Sequence, residues 1–267
     1  MQPSNYKGTA LITGASSGIG AIYADRLARR GHDLILVARN RERLEALARR
    51  LTQATGRSVE VIPADLNNDA DLARIESKLR TDSRISLLVN NAGFGATTSL
   101  LESNVERMDE MLALNVRALM RLTYAAVPGF VARGGGTLIN IASVVGVAPE
   151  VLNGVYGGSK AFVLAFSQSL LKELSDKNIR VQAVLPGATA TEFWDISGTP
   201  LAHLPAEIVM PADQMVDAAL SGLDQGEFVT IPALPDIADW DAYEAARQKL
   251  MPNLSRSTPA ARYRRVA

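Results

Sequence analysis

The chain contains no cysteine and only two histidines, His32 and His203. The first absence excludes disulfides, thiol nucleophiles and thiolate-bound metals. The second leaves too few imidazoles for a His-rich metal site, so no metal is expected. Net charge is also missing: Lys+Arg and Asp+Glu both total 28. That balance gives no footing for nucleic acid or a charged membrane surface. No apolar run is long enough to cross a bilayer. The opening residues Met1-Gln2-Pro3-Ser4-Asn5-Tyr6-Lys7 lack the basic-then-apolar order of a secretion signal. Linkers, low-complexity stretches and short-period repeats are absent too. The expectation is a cytoplasmic protein with neither nucleic-acid nor membrane partners.

What is present suits one large globular domain. The 267 residues are 47% hydrophobic and 21% charged, enough for a substantial buried core. Short apolar runs at 9–13, 33–38, 59–62, 85–90, 136–141, 179–185 and 227–231 read as strands. Helical periodicity fills the gaps, at 21–30, 41–55 and 69–80. A capping box of Ser103 and Glu106 opens a long helix to about Val131; further helices run through Tyr156 to about Asp176, then at 212–223 and 239–250. Alternating strands and helices predict an α/β fold: a doubly wound, Rossmann-like sheet of seven parallel strands in the order 3-2-1-4-5-6-7, helices on both faces. The domain is taken as 1–267, with its core at 6–231 and a C-terminal helix and tail at 232–267. The tail carries Arg256, Arg262, Arg264 and Arg265 and reads as a surface strap or a disordered end.

Between the first strand and first helix lies Thr13-Gly14-Ala15-Ser16-Ser17-Gly18-Ile19-Gly20. Gly14 permits a tight turn, Gly18 lets backbone approach a pyrophosphate, and Gly20 lets helix and sheet pack closely. The helix N-terminus then offers free N–H groups to phosphates. The spacing is G-x-x-x-G-x-G, and the strand–turn–helix context favours nucleotide binding over a purely structural turn.

Tyr156 and Lys160 are four positions apart on a helix and share a face. A phenol titrates near pH ~10. A cation ~4 Å away, at an effective dielectric of ~20, favours the phenolate by roughly 4 kcal/mol, or about three pKa units. Such a pair can work as a general acid/base at neutral pH.

Taken together, these motifs resemble the short-chain dehydrogenase/reductases, in their compact single-domain branch. The glycine turn, Asn90-Asn91-Ala92-Gly93, Ser143 after the fifth strand, Tyr156-x-x-x-Lys160, and Pro186-Gly187 with Thr191 occur in the family's order. The resemblance covers roughly residues 6–231. It implies an NAD(P)-dependent oxidoreductase interconverting a carbonyl and a secondary alcohol. Tyr156 would exchange the proton, Lys160 would lower the tyrosine pKa and bind the nicotinamide ribose, and Ser143 would hold the substrate oxygen. Asn115 would kink its helix and hold a water behind the lysine. Gly14, Ser16, Ser17, Gly18, Ile19 and Gly20 would meet the phosphates. Asp65, with Leu66, would read the adenine; Asn91, Ala92 and Gly93 would border its ribose. Pro186, Gly187 and Thr191 would line the carboxamide. Each also has a bland reading, as a cap, turn or strand end.

The second strand ends at Val37-Ala38-Arg39-Asn40-Arg41 with no acidic residue to grip a ribose 2′-hydroxyl. Arg39 is placed to pair a 2′-phosphate, unless it only opens a solvated helix. NADP(H) is expected, with NAD(H) possible. Residues 190–210 should cover the substrate, with Phe193, Trp194, Ile196, Leu201 and Leu204 joining Phe94 and Val144 to Val147 in an apolar pocket. The resemblance also implies that the helices opening near Ser103 and Gly154 pair with their counterparts across a two-fold axis. Leu112, Leu119, Phe162 and Phe166 offer apolar surface for this, though some must face the sheet, and a homodimer or homotetramer is expected. Other readings are a nucleotide-binding sensor or scaffold without turnover, and a sugar-nucleotide epimerase or dehydratase. The complete set Asn115, Ser143, Tyr156 and Lys160 argues against the first. The few residues after Pro232 argue against the second.

Overall fold

The computed structural model describes residues 7–263. Residues 1–6, and Arg264 and Arg265 of the tail, lie outside them. The described chain divides into two compact units at Pro232.

The first unit is built on seven parallel strands. These are β1 (Thr9–Thr13), β2 (Asp33–Ala38), β3 (Val59–Pro63), β4 (Ile85–Asn90), β5 (Gly136–Ile141), β6 (Ile179–Val184) and, last in the chain, β9 (Val229–Thr230). Their spatial order is β3-β2-β1-β4-β5-β6-β9, as the sequence predicts once two short extra strands are set aside. Those two, β7 (Thr189–Ala190) and β8 (Met210–Pro211), pair with each other at the base of the 190–210 segment.

Side chains alternate between two core layers, as the two-residue period of a strand requires. Ala10, Ile12, Leu34 and Leu36 point into one layer with Tyr23, Leu27, Leu44 and Val216. Leu11, Ile35 and Val37 point into the other with Leu72, Ile75, Leu122 and Phe130. The first layer is covered by α1 (Gly18–Arg29), α2 (Arg41–Thr55) and α8 (Ala212–Gln225), the second by α3 (Asp69–Thr81) and by the helices after β4. At roughly 1.5–3 kcal/mol for each fully buried large apolar side chain, these layers are the main source of stability.

The long helix after β4 departs from the simple expectation. It is α4 (Val105–Leu112), then one stretch of π-helix (Ala113–Ala118), then α5 (Leu119–Ala132). Its cap is Asn104, whose side chain accepts from Arg107 N at 2.8 Å, and not Ser103. That start puts Glu106 one position too early for the reciprocal half of a capping box. Ser103 instead donates to the Ser99 carbonyl, 2.7 Å away.

Between the layers runs a buried polar chain. Asn90 Nδ2 donates to Thr123 Oγ1 (3.1 Å) and Asn140 Oδ1 (2.9 Å), and Asn140 Nδ2 donates to Ser167 Oγ (3.0 Å). These contacts fix β4 and β5 against α5 and α6 (Gly154–Glu173), the helix that carries Tyr156. The second unit holds α9 (Ile237–Lys249), in which Trp240 and Tyr243 pack with ring centroids 5.2 Å apart. No helix among the described residues is long and apolar enough to cross a membrane.

Candidate active site

Every sequence-predicted site residue outside the helices follows the C-terminal end of a strand, where doubly wound sheets bind ligands. Reading across the sheet, Asp65 follows β3, Arg39 follows β2, the glycine turn follows β1, Asn91-Ala92-Gly93 follows β4, Ser143 follows β5, and Pro186-Gly187 follows β6. The strand order therefore lines these groups up along one crevice.

The glycine turn is drawn tightly onto the end of β4. Gly14 has φ +65°, and a Cβ there would lie 2.8 Å from Asn91 Nδ2 and 2.9 Å from Ala92 Cα. A Cβ on Gly20 would lie 2.3 Å from the Gly14 carbonyl. Thr13, not anticipated as a site residue, holds this arrangement. Its hydroxyl accepts from the N–H groups of Asn91 and Ala92, both at 3.0 Å. Asn91 donates back to the carbonyls of Thr13 (2.9 Å) and Gly14 (3.2 Å), so its amide positions the turn.

The residues fit a dinucleotide. Helix α1 starts at Gly18, its N-cap Ser17 makes no capping hydrogen bond within the helix, and its first turn carries no acid. Open N–H groups and the positive end of the helix dipole suit a pyrophosphate. Ser16 and Ile19 are half-buried in the turn. Arg39 is exposed and makes no hydrogen bond or ion pair among the described residues. Asp65 is half-exposed and accepts from Asn67 N at 3.0 Å, whereas the cap of α3 is Asn68. Leu66 packs in the core. A Cβ on Gly187 would meet nothing within 4 Å, which leaves that wall open. Thr191 closes over the turn, its methyl 3.2 Å from where a Gly18 Cβ would stand.

The four expected catalytic residues are brought together. Asn153, the N-cap of α6, accepts from Val155 N (2.9 Å) and Tyr156 N (3.3 Å) and donates to the Thr98 carbonyl (2.7 Å). An Asn just before the helix was a readable capping signal for this anchor. Tyr156 and Lys160 are both 6% exposed. The Tyr156 hydroxyl hydrogen-bonds the Ser143 hydroxyl. Ser143 also donates to the Pro186 carbonyl at 3.3 Å. Asn115 sits in the π-helical stretch and clamps the loop after Gly93: Oδ1 accepts from Phe94 N (3.1 Å) and Nδ2 donates to Phe94 O (2.9 Å). Nδ2 also donates to Ser159 Oγ at 3.2 Å, which ties this helix to α6.

One expectation needs correction. Lys160 Nζ donates to the Ile141 carbonyl at 2.9 Å and lies 5.8 Å from the Tyr156 ring centroid. Its ammonium stands over the ring and hydrogen-bonds a backbone carbonyl, not the phenol oxygen. Burial instead controls both groups. It pushes the Tyr156 pKa up to about 12, against the opposing pull of the Ser143 hydrogen bond. It pushes Lys160 down to about 8. A low-polarity site disfavours either charged form, so the tyrosine rests as a neutral proton donor.

The covering segment is also more divided than expected. It holds α7 (Phe193–Ser197) and two short 3-10 turns. Thr97 stitches it down, its N–H and hydroxyl both donating to the Ser197 carbonyl at 3.1 and 3.0 Å. Phe193 packs against Tyr156, centroids 5.7 Å apart, and against Trp194 at 5.5 Å. Trp194 is buried and donates to the Thr189 carbonyl at 3.0 Å, a structural role. Ile196 is 56% exposed. Of the apolar set, Phe193 is thus the segment's contact with Tyr156. Phe94, Val155 and Leu152 border the same cluster with Met108, Met111 and Val145.

Comparison with known proteins agrees with this geometry. A family model described as short chain dehydrogenase matches residues 8–199. Human 17-beta-hydroxysteroid dehydrogenase type 3 is 32% identical over 91% of this chain and 79% of its own. A short-chain dehydrogenase from Sphingobium yanoikuyae, solved with NADPH, is 52% identical with a TM-score of 0.93, covering 96% of this chain and 100% of that one. The bulky-bulky ketone specific alcohol dehydrogenase from Comamonas testosteroni is 46% identical with a TM-score of 0.89, over 97% and 99% of the two chains. This chain belongs to the short-chain dehydrogenase/reductase family of oxidoreductases.

Proposed function

We propose that this protein reduces ketones to secondary alcohols with NADPH, and that the preferred ketones carry bulky groups on both sides of the carbonyl. The observation that supports the reaction is the buried Tyr156–Ser143 hydrogen bond, with Lys160 and Asn115 behind it. The cofactor supplies the hydride. Ser143 donates to the ketone oxygen and holds it beside the Tyr156 hydroxyl. Tyr156, neutral at pH 7, gives its proton as the oxygen gains charge. Lys160, whose pKa near 8 leaves it largely protonated at pH 7, offsets the charge left on the tyrosine. Asn115 keeps the Gly93 loop and α6 in register. The preference for NADPH rests on Arg39, and the substrate class on the 46% identity to the Comamonas enzyme.

The test is NADPH oxidation followed by absorbance, with diaryl and branched ketones against small methyl ketones. Tyr156→Phe keeps the ring and removes the proton. Loss of a general acid costs about 10²–10⁴-fold in rate, and NADPH binding should persist. Full turnover by Tyr156→Phe would sink the mechanism. Cofactor binding without turnover of any ketone would favour the sensor reading. The chain is further expected to form a homodimer or homotetramer.

A further inference from the structure

Arg43 and Glu192 form an ion pair at 2.7 Å between Nη1 and Oε2. It joins the first turn of α2 to the residue just before α7, 149 positions away. Glu192 also hydrogen-bonds the hydroxyl of Ser17, the N-cap of α1; Arg43 first, then Ser17, hold its carboxyl below the usual range. One carboxylate therefore sits where the glycine turn and the start of α2 meet. We infer that Glu192 is an internal stand-in for the cofactor's 2′-phosphate, and that Arg43 is a second guanidinium for that phosphate, released from Glu192 when it binds.

Three features support the exchange. First, a guanidinium in the opening turn of a helix faces the positive end of the dipole, so it needs an anion beside it. Second, both side chains are about half exposed, at 50% and 53%. Such a pair is worth at most about fivefold in an equilibrium constant and is easily replaced. A phosphate can meet the same guanidinium with two parallel hydrogen bonds and more charge than a carboxylate. Third, Arg39 lies four positions earlier, exposed and without a partner among the described residues. The two arginines and Ser17 together would surround a phosphate, and an unmodified ribose offers nothing to displace Glu192. The pair also reaches the substrate side. Glu192 stands between Thr191, over the glycine turn, and Phe193, against Tyr156.

This inference rests on the NADPH reading, and its test separates the two. Dissociation constants for NADPH and NADH are measured by fluorescence titration for the unmodified protein, Arg39→Ala, Arg43→Ala, Glu192→Gln and the Arg43→Ala/Glu192→Gln double variant. Adenosine 2′,5′-bisphosphate and AMP serve as probes without nicotinamide. All three positions are exposed, and thermal melts check that the variants fold. Arg43→Ala should weaken NADPH and the bisphosphate about three- to tenfold and leave NADH and AMP within twofold. Glu192→Gln should tighten NADPH by about two- to fivefold, and most of that gain should vanish in the double variant. Arg39→Ala tests the cofactor reading by itself: an unchanged NADPH-to-NADH ratio there rejects that reading. If Arg43→Ala leaves NADPH within twofold, weakens both cofactors equally, or if Glu192→Gln gains as much without Arg43 as with it, the exchange is wrong.

Discussion

Two neighbouring glycines in the Tyr156 motif look alike in sequence and differ in the folded protein. Gly157 is buried, and a Cβ on it would stand 2.9 to 3.1 Å from Pro149 atoms, two of them backbone. Gly158 is exposed, and a Cβ there would meet nothing within 4 Å. Gly157→Ala should thus destabilise by about 1–3 kcal/mol through overpacking. Gly158→Ala should stabilise by about 0.5–1 kcal/mol, because alanine loses less backbone entropy in a helix. Urea unfolding of both variants checks the pair, and equal shifts of one sign would contradict it. The same limit explains the tyrosine. The four-residue spacing of Tyr156 and Lys160 was legible, but the direction of the lysine was not. That depends on the Ile141 carbonyl, 19 positions away in sequence. Nor does the sequence show how deeply the pair is buried, which decides the sign of the tyrosine shift.

Among the elements, the strands of the main sheet were the most legible, because all but the edge strand β3 are short apolar runs largely buried on both faces. Helix α2 was legible at both ends, from Asn40 at its cap to Gly56 in the left-handed conformation at φ 69°. The helix after β4 was not. Its π-helical stretch centres on Asn115, whose bonds to Phe94 and Ser159 are long-range and carry no periodic signal. Its outer face raises the question of association. Of the four residues expected to offer it, Leu119 is buried, so it is one that faces the sheet and not the surface. Tyr124, however, is 68% exposed and stacks on Phe166, centroids 6.3 Å apart, with Phe162 stacked beyond at 5.7 Å. A ladder of one exposed and two half-buried aromatic rings leaves apolar surface in water, which is costly, since aromatic side chains are large apolar surfaces that dominate interface cores. The unmodified chain should therefore sediment at micromolar concentration with the mass of a dimer or tetramer. Tyr124→Asp combined with Phe166→Asp should shift it toward single chains. A monomeric unmodified protein would reject the association.

At the scale of the whole molecule, the strand order and the crevice followed from βα alternation, whereas the stability profile depends on what folding encloses. The chain has two histidines, and His203 is exposed. His32 is largely buried after α1, and its Nδ1 has no hydrogen-bond partner. Burial above all, and then the charge of Lys7, push its pKa down to about 4, against a hydrogen bond that the ring donates to the Gly8 backbone and with smaller contributions from Arg30 and Arg57. Above pH 6.5 the folded and unfolded chains both hold this imidazole neutral. Between 6.5 and 4 only the unfolded chain takes up the proton, so stability falls as pH falls. Below 4 both states are protonated and the difference stays constant. From pH 7 to pH 5 the loss should be about 2 kcal/mol. The carboxylates act in a lower window. Asp25, held by Arg29 and Arg26 against the cost of its burial, and Asp82, held by Arg84, have depressed pKa values. Their stability is retained until the unfolded carboxylates begin to protonate, below about pH 5. The interval from pH 7 to 5 thus isolates the histidine. Urea unfolding at both pH values should show the loss in the unmodified protein, and His32→Gln should remove most of the difference. An equal pH dependence in the two proteins would mean that His32 is hydrated in the folded state and that the acid sensitivity of the fold arises elsewhere.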